Sequence, residues 1–121
     1  MLNLPPGFRE FPATEDFVAV NGPLYGRVDG GQLVLGFRVE DRHCNPAKSC
    51  HGGMLMTFAD MQLAIGANFA ADLKRFLPTI SLTSDFLAPA PLGSWVEGRT
   101  EIARQARTLL FAHAMITADG V

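Results

Sequence analysis

The chain has 121 residues, of which 48% are hydrophobic and nine are Phe, which fits one globular domain with a small core and excludes a disordered polymer. A formal net charge of -2 argues against a nucleic-acid-binding surface. Two cysteines are too few for a secreted disulfide framework, no stretch has a signal peptide's basic-then-apolar layout, and no uninterrupted apolar run reaches membrane-spanning length, so a soluble cytoplasmic protein is expected.

Residues 1–13 carry Pro5, Pro6, Gly7 and Pro12 and read as an irregular arm, with Phe8 and Phe11 as candidate anchors. Residues 14–121 then form a single domain. Thr14 is placed as an N-cap, with Glu15 and Asp16 in the first turn of a short helix over 15–20 that stops at Asn21-Gly22-Pro23. Phe17 and Val18 are its expected core contacts. Two strands, 24–28 and 32–39, flank Asp29-Gly30-Gly31, a hairpin turn. Leu33, Leu35 and Phe37 alternate while Val34 and Val39 blur the pattern, so the second strand is half to fully buried.

Residues 40–49 form a polar loop with a turn at Asn45-Pro46. His43, Cys44, Cys50 and His51 crowd there, but the cysteines lie six apart and each adjoins a histidine, which is not zinc-ligand spacing. No metal is expected. The cysteines read as two buried thiols, with a Cys–His nucleophilic pair as the alternative.

The next stretch organises the chain. From Gly52-Gly53 to about Ala71 there are good helix formers and no proline, and apolar residues fall on nearly every face, which predicts a long buried helix. Asp60 stands out in it, because buried carboxylates are rare unless paired or used. At the helix start, backbone N–H groups lack intrahelical partners, and glycine lets another group approach them closely. One helix thus offers an oxyanion-type donor at Gly52 and a carboxylate at Asp60. They are eight residues apart, about 12 Å at the helical rise. A base and an oxyanion donor must each lie within about 3 Å of the reacting atoms. If both act, two antiparallel copies of the helix must meet, and a two-fold dimer with two shared sites is expected.

After a charged connection at 72–78, residues 79–87 alternate as a strand, with Ile80, Leu82 and Phe86 on one face and Thr79, Ser81, Thr83 and Asp85 on the other. A strand over 95–104, a tight turn at Gln105-Ala106 and a strand over 107–117 follow, with Leu109, Phe111, His113 and Met115 in alternation. The class is α+β: two short strands, a long helix, then an antiparallel meander.

Asn45, the run His51-Gly52-Gly53, Asp60 on the helix and the hydroxyl-bearing stretch from Thr79 together resemble the hotdog-fold acyl-CoA thioesterases. The branch is the one related to the phenylacetate-pathway (PaaI-like) thioesterase, within the 4-hydroxybenzoyl-CoA thioesterase superfamily. The resemblance runs from about Phe17 to the end of the chain. It implies a sheet wrapped around the long helix, dimers that can pair into tetramers, and hydrolysis of an acyl-CoA to an acid and coenzyme A. No further cofactor is implied, because coenzyme A belongs to the substrate. Asp60 would activate water or attack the thioester carbonyl itself, and Gly52, with Gly53 beside it, would bind the thioester oxygen. Asn45 would orient substrate or water, His51 would fix the loop, and Thr79, or Ser81 two residues on, would position water. Arg104 and Arg107 would meet the coenzyme A phosphates. Plainer readings stand beside these: an Asx-turn for Asn45, an ordinary helix start for the glycines, strand alternation for Thr79 and a solvated turn for the arginines. A non-catalytic acyl-CoA-binding or assembly domain of the same fold is the alternative function, and no hydratase-type Asp and His arrangement is found. Ala118-Asp119-Gly120 is a hairpin signal followed only by Val121, where the resemblance implies one more strand inside the sheet.

Overall fold

The computed structural model describes residues 3–12 and 16–121. The expected cap at Thr14 and first-turn Glu15 lie outside the described residues. The elements run β1 (Arg9–Glu10), α1 (Phe17–Asn21), β2 (Tyr25–Asp29), β3 (Gln32–Arg38), a 3-10 turn (Asp41–His43), α2 (Gly52–Ala71), β4 (Trp95–Gln105) and β5 (Leu110–Ala118). The five strands form one antiparallel sheet in chain order, and α2 lies across it. This is the expected α+β hotdog architecture.

The hairpin between β2 and β3 closes through Gly30-Gly31, both at positive φ (58° and 80°), with Asp29 paired to Gln32. Positive φ at both central positions matches the strand twist, and glycine takes it without steric cost. Strand β3 is buried on both faces, which explains its blurred alternation. Leu35 and Phe37 join α2 residues Met54, Phe58 and Met61 in the main core. Val34 points the other way, into a second cluster with Phe8, Tyr25 and Trp95. The arm is therefore not wholly irregular. Phe8 packs edge-on against Trp95 with ring centroids 5.0 Å apart, and Arg9–Glu10 pairs with β2.

Four expectations are corrected. Residues 79–87 do not form a strand: they pair with no other segment among the described residues, and Ile80, Phe86 and Leu87 are exposed. Their alternation satisfies a strand pattern, but a strand also needs a ladder for its backbone groups. The meander turn sits later than Gln105-Ala106: Gln105 still pairs with Leu110, and the chain reverses at Arg107-Thr108, with Ala106 N–H bonded to Leu109 O at 2.8 Å. Phe17 is exposed, and only Val18 of the short helix packs on the core. Helix α2 is not buried all round. Met54, Phe58, Met61, Gln62 and Ala67 face the sheet, while Leu55, Met56, Leu63 and Ala64 on the remaining surface stay half-buried.

Asp119 and Gly120, both at positive φ, make a two-residue turn in which Ala118 and Val121 exchange both backbone hydrogen bonds. The hairpin signal at this point is therefore realised as a turn. No helix is long and apolar enough to cross a membrane among the described residues.

Candidate active site

The loop before α2 is held from both sides. Glu40 and His43 form a reciprocal cap: His43 N–H donates to Glu40, and the Glu40 N–H donates to His43 Nδ1 at 3.0 Å. His43 Nε2 bonds Asn21 O at 3.2 Å, which makes the neutral Nε2–H tautomer the one that satisfies both contacts. Burial, and then the Arg42 charge, push the His43 pKa below its ordinary value. Arg42 pairs with Glu40 at 2.9 Å and donates to the carbonyls of Val20 and Gly22, tying α1 to the loop. His51 N–H donates to His43 O at 2.8 Å, so this network delivers the start of α2.

At that start the two glycines differ. His51 is the N-cap, and its Nδ1 accepts from Gly53 N–H at 2.8 Å. Met54 and Leu55 N–H groups donate to His51 O. Gly52 N–H has no acceptor among the described residues. The expected donor, Gly52, is the one of the two whose N–H stays open among the described residues. His51 is thus occupied as a helix cap. Beside Gly52 lies a cavity of about 400 Å³ lined by Cys50, Leu55, Phe86, Leu87, Ala88 and Ala90. The Phe86 ring lies over Gly52, 3.6 Å from where a Cβ would be. A second cavity of about 440 Å³ lies on the other side of the helix start, against His51, Met54 and Thr57.

Asp60 is half-buried and is the only ionisable side chain in α2. Its Oδ1 accepts the Thr79 hydroxyl at 2.5 Å, and its Oδ2 has no partner among the described residues. The structure therefore brings Thr79 and Asp60 together, while α2 runs unbroken between Gly52 and Asp60 and keeps those two apart within one chain. Ser81 is exposed and makes no hydrogen bond to this pair among the described residues.

Asn45 adopts the plainer reading. Its Oδ1 accepts from Ala47 N–H at 3.0 Å and Ser49 N–H at 3.2 Å, an Asx-turn that uses its acceptor and leaves Nδ2 open. Arg104 and Arg107 are exposed at the β4–β5 turn and make no ion pair among the described residues. Among those residues no three His, Cys, Asp or Glu side chains are grouped to hold a metal.

Sequence reasoning missed Gln62. It is fully buried, its Oε1 accepts from Leu35 N–H at 2.9 Å, and its Nε2 donates to Leu33 O at 3.1 Å and Thr100 Oγ1 at 2.9 Å. Thr100 in turn donates to Gln62 O at 2.9 Å. Gly66 and Gly98 make room, because a Cβ at either would fall within 3.0 Å of the Gln62 side chain. The amide stands in for a missing strand partner where β3 and β4 part, and it fixes the rotation of α2 on the sheet. Gln62 lies two positions from Asp60, so this rotation turns Asp60 outward. A polar residue in an otherwise apolar helix was the available signal.

Comparison with known proteins identifies the family and the fold. The family model described as "Thioesterase superfamily" matches residues 47–121. The Pseudomonas aeruginosa protein named "Putative esterase PA0474" is 32% identical over 117 residues, covering 96% of this chain and 87% of its own. Acyl-coenzyme A thioesterase 13 of mouse is 27% identical over 88 residues, covering 71% of this chain, which spans 61% of the mouse protein. Among solved structures, the PaaI protein of the E. coli phenylacetic acid degradation operon superposes with a TM-score of 0.73 at 24% identity, covering 86% of this chain and 74% of that one. The matched segment contains Gly52, Asp60 and Thr79, and the chain belongs to the thioesterase superfamily, with the hotdog fold.

Proposed function

We propose that this protein is a cytoplasmic acyl-CoA thioester hydrolase that works as a homo-oligomer with active sites shared between subunits. The observation that carries the proposal is a pair of groups on α2 that are open among the described residues: a Gly52 N–H without an acceptor at the helix start, and an Asp60 oxygen without a donor two turns on. Superfamily membership supports thioester chemistry, and the mouse relative's name supports coenzyme A as the leaving thiol.

In this reading the thioester carbonyl oxygen sits on Gly52 N–H of one subunit, aided by the helix dipole. Asp60 of the facing subunit takes a proton from water, whose oxygen attacks the carbonyl carbon. The tetrahedral intermediate collapses, the carbon–sulfur bond breaks, and the proton passes to the departing coenzyme A sulfur. Direct attack by the carboxylate, followed by hydrolysis of the anhydride, uses the same two groups. Thr79 holds Oδ1 so that Oδ2 faces the substrate, and His51 keeps Gly53 N–H engaged. Asn45 offers Nδ2 to the substrate or the water. The cavity beside Gly52, with Leu55, Phe86 and Ala90 in its wall, receives the acyl group. Arg104 and Arg107 serve the phosphates, with Ser81 nearer the substrate, and no metal or added cofactor takes part.

The test follows free thiol release from a panel of aryl and medium-chain acyl-CoA esters. Turnover of at least one ester is expected. Binding of coenzyme A esters without hydrolysis of any would replace the enzyme by a binding domain of the same fold.

A further inference from the structure

We propose that Cys44 and Cys50 form a thiol modification site that a small-molecule disulfide, such as oxidised glutathione, closes to a reversible intramolecular disulfide. The inference is independent of the thioesterase reading and rests on backbone pairing in the loop before α2.

Cys44 and Cys50 face each other across an isolated antiparallel bridge. The flanking hydrogen bonds fix which kind of pair it is. Asn45 N–H donates to Ser49 O at 2.9 Å, and His51 N–H donates to His43 O at 2.8 Å, so the cysteines occupy a non-hydrogen-bonded position between them. At such positions the two Cα atoms stand about 4.5 Å apart and their side chains project to the same side. A disulfide accepts Cα separations of about 4.4–6.8 Å, so the bond can close with little backbone movement, near the short end of the range. Bonds at that strained end are the ones readily reduced again.

The side chains agree with the backbone. Cys50 belongs to the main core, and Cys44 packs against it from the partly buried side. Neither thiol has a strong partner to surrender: Cys44 Sγ donates to Glu40 O at 3.4 Å, and Cys50 Sγ to His51 O at 3.8 Å. Burial, and then the neighbouring Cys44, push the Cys50 thiol up to about 11. Both cysteines are free.

This division sets the order of events. Cys44, the more accessible sulfur, attacks one sulfur of the small disulfide as its thiolate. The small disulfide's S–S bond breaks, and one thiol leaves after taking up a proton. Cys50 then gives up its proton and attacks the Cys44 sulfur, expelling the second small thiol. The two protein thiols lose two electrons in all, and the small disulfide is reduced to two thiols. The enclosed loop is short, so closure adds less loop entropy to stability than a long-range disulfide would. The pair suits a reversible mark better than a structural staple. It lies immediately before His51 and Gly52.

The experiment incubates the reduced full chain with oxidised glutathione, quenches with an alkylating agent and reads intact mass. Wild type is expected to lose both alkylatable thiols together, to carry no glutathione at the end point, and to regain both thiols on reduction with dithiothreitol. Cys50→Ser is expected to stop with one glutathione held on Cys44. Cys44→Ser is expected to react more slowly than wild type. A wild-type chain that keeps a stable glutathione adduct while Cys50 remains alkylatable would overturn the proposal, as would disulfides formed only between chains or two thiols that stay unreacted. None of these readings depends on thioester hydrolysis, so failure here is distinct from failure of the proposed enzyme activity.

Discussion

Thr79 donates its hydroxyl to Asp60 Oδ1 at 2.5 Å, the hydrogen bond that ties the unpaired segment 79–87 to α2. The bond fixes one carboxylate oxygen and leaves the other directed outward. A carboxylate held by one oxygen on a helix is placed more firmly than a freely solvated one, as the base of the proposed reaction would need to be.

Asp60→Asn isolates that role. The amide oxygen can still accept the Thr79 hydroxyl, but the base is gone. If Asp60 acts in the chemistry, kcat for a thioester falls by about 10²–10⁴-fold, the range for a lost acid–base group. KM changes little, because the substrate contacts remain. Asp60 is half-buried rather than enclosed, so the melting temperature should hold. A thermal melt run beside the assay decides: lost stability with full activity per folded molecule would make Asp60 structural.

Gln62 carries the stability prediction. Gln62→Leu keeps roughly the volume but leaves Leu35 N–H and Leu33 O without their partner in the core and takes away one of the two bonds of Thr100 Oγ1, which still donates to the residue 62 carbonyl. Unsatisfied buried groups cost about 1–3 kcal/mol each before relaxation, so a loss of at least about 2 kcal/mol is expected in denaturant unfolding. Gly66→Ala tests the same cluster by crowding it, since its Cβ would meet Thr100 Oγ1 at 2.5 Å and Gln62 Nε2 at 2.8 Å. Overpacking of this kind costs about 1–3 kcal/mol. An unchanged midpoint for both variants would show that the cluster does not hold the helix.

The contrast between Asp60 and Gln62 shows what could be read from sequence. Both are polar residues in one apolar helix, two positions apart. Asp60 stood out because a carboxylate in such a helix demands a reason. Gln62 did not, because a neutral amide is unremarkable until its three partners, distant in sequence, are placed around it. Long elements were legible: the period and composition of residues 52–71 needed no tertiary information. Segment 79–87 was not, because alternation says which side chains share a face and nothing about whether a ladder partner exists. Asn45 shows the same limit in the site. Its Asx-turn is a local bond visible in Asn-Pro, whereas any contact with substrate is not written in local sequence. That Gly53 N–H is taken up by the His51 ring, by contrast, depends on a side-chain direction that spacing does not encode.

His43 gives a pH prediction. Its folded pKa lies below the ordinary 6.5, chiefly through burial. The unfolded chain therefore binds the proton more readily, and stability rises with pH across that window. The contribution is present above about 6.5 and is lost as pH falls through the folded pKa. Protonation would place a hydrogen on Nδ1 against the Glu40 N–H, breaking the cap that positions the loop. Urea midpoints between pH 7.5 and 5 should fall, and His43→Gln should flatten that part of the slope. An identical slope in His43→Gln would refute the assignment.

The last prediction concerns subunit sharing. Gly52 and Asp60 are eight residues apart on one unbroken helix, about 12 Å, and each must come within about 3 Å of one thioester. If both groups act on one thioester, a second chain must supply the missing one, and the half-buried face of α2, with exposed Phe76, Ile80 and Leu87 nearby, offers an apolar surface to receive it. Light scattering should give the mass of two chains or four, and a fully active monomer would end the argument. A complementation test is sharper. Gly52→Pro removes the open N–H at the first helical position, where proline is tolerated, and His51 already has the extended ψ of 136° that a following proline requires. Both Gly52→Pro and Asp60→Asn homodimers should be nearly inactive. Refolded together in equal amounts, half of the dimers are mixed, and each mixed dimer regains one intact site of two. Activity should return to about a quarter of wild type, by counting sites in a two-fold dimer. If each chain held its own complete site, mixing would restore nothing.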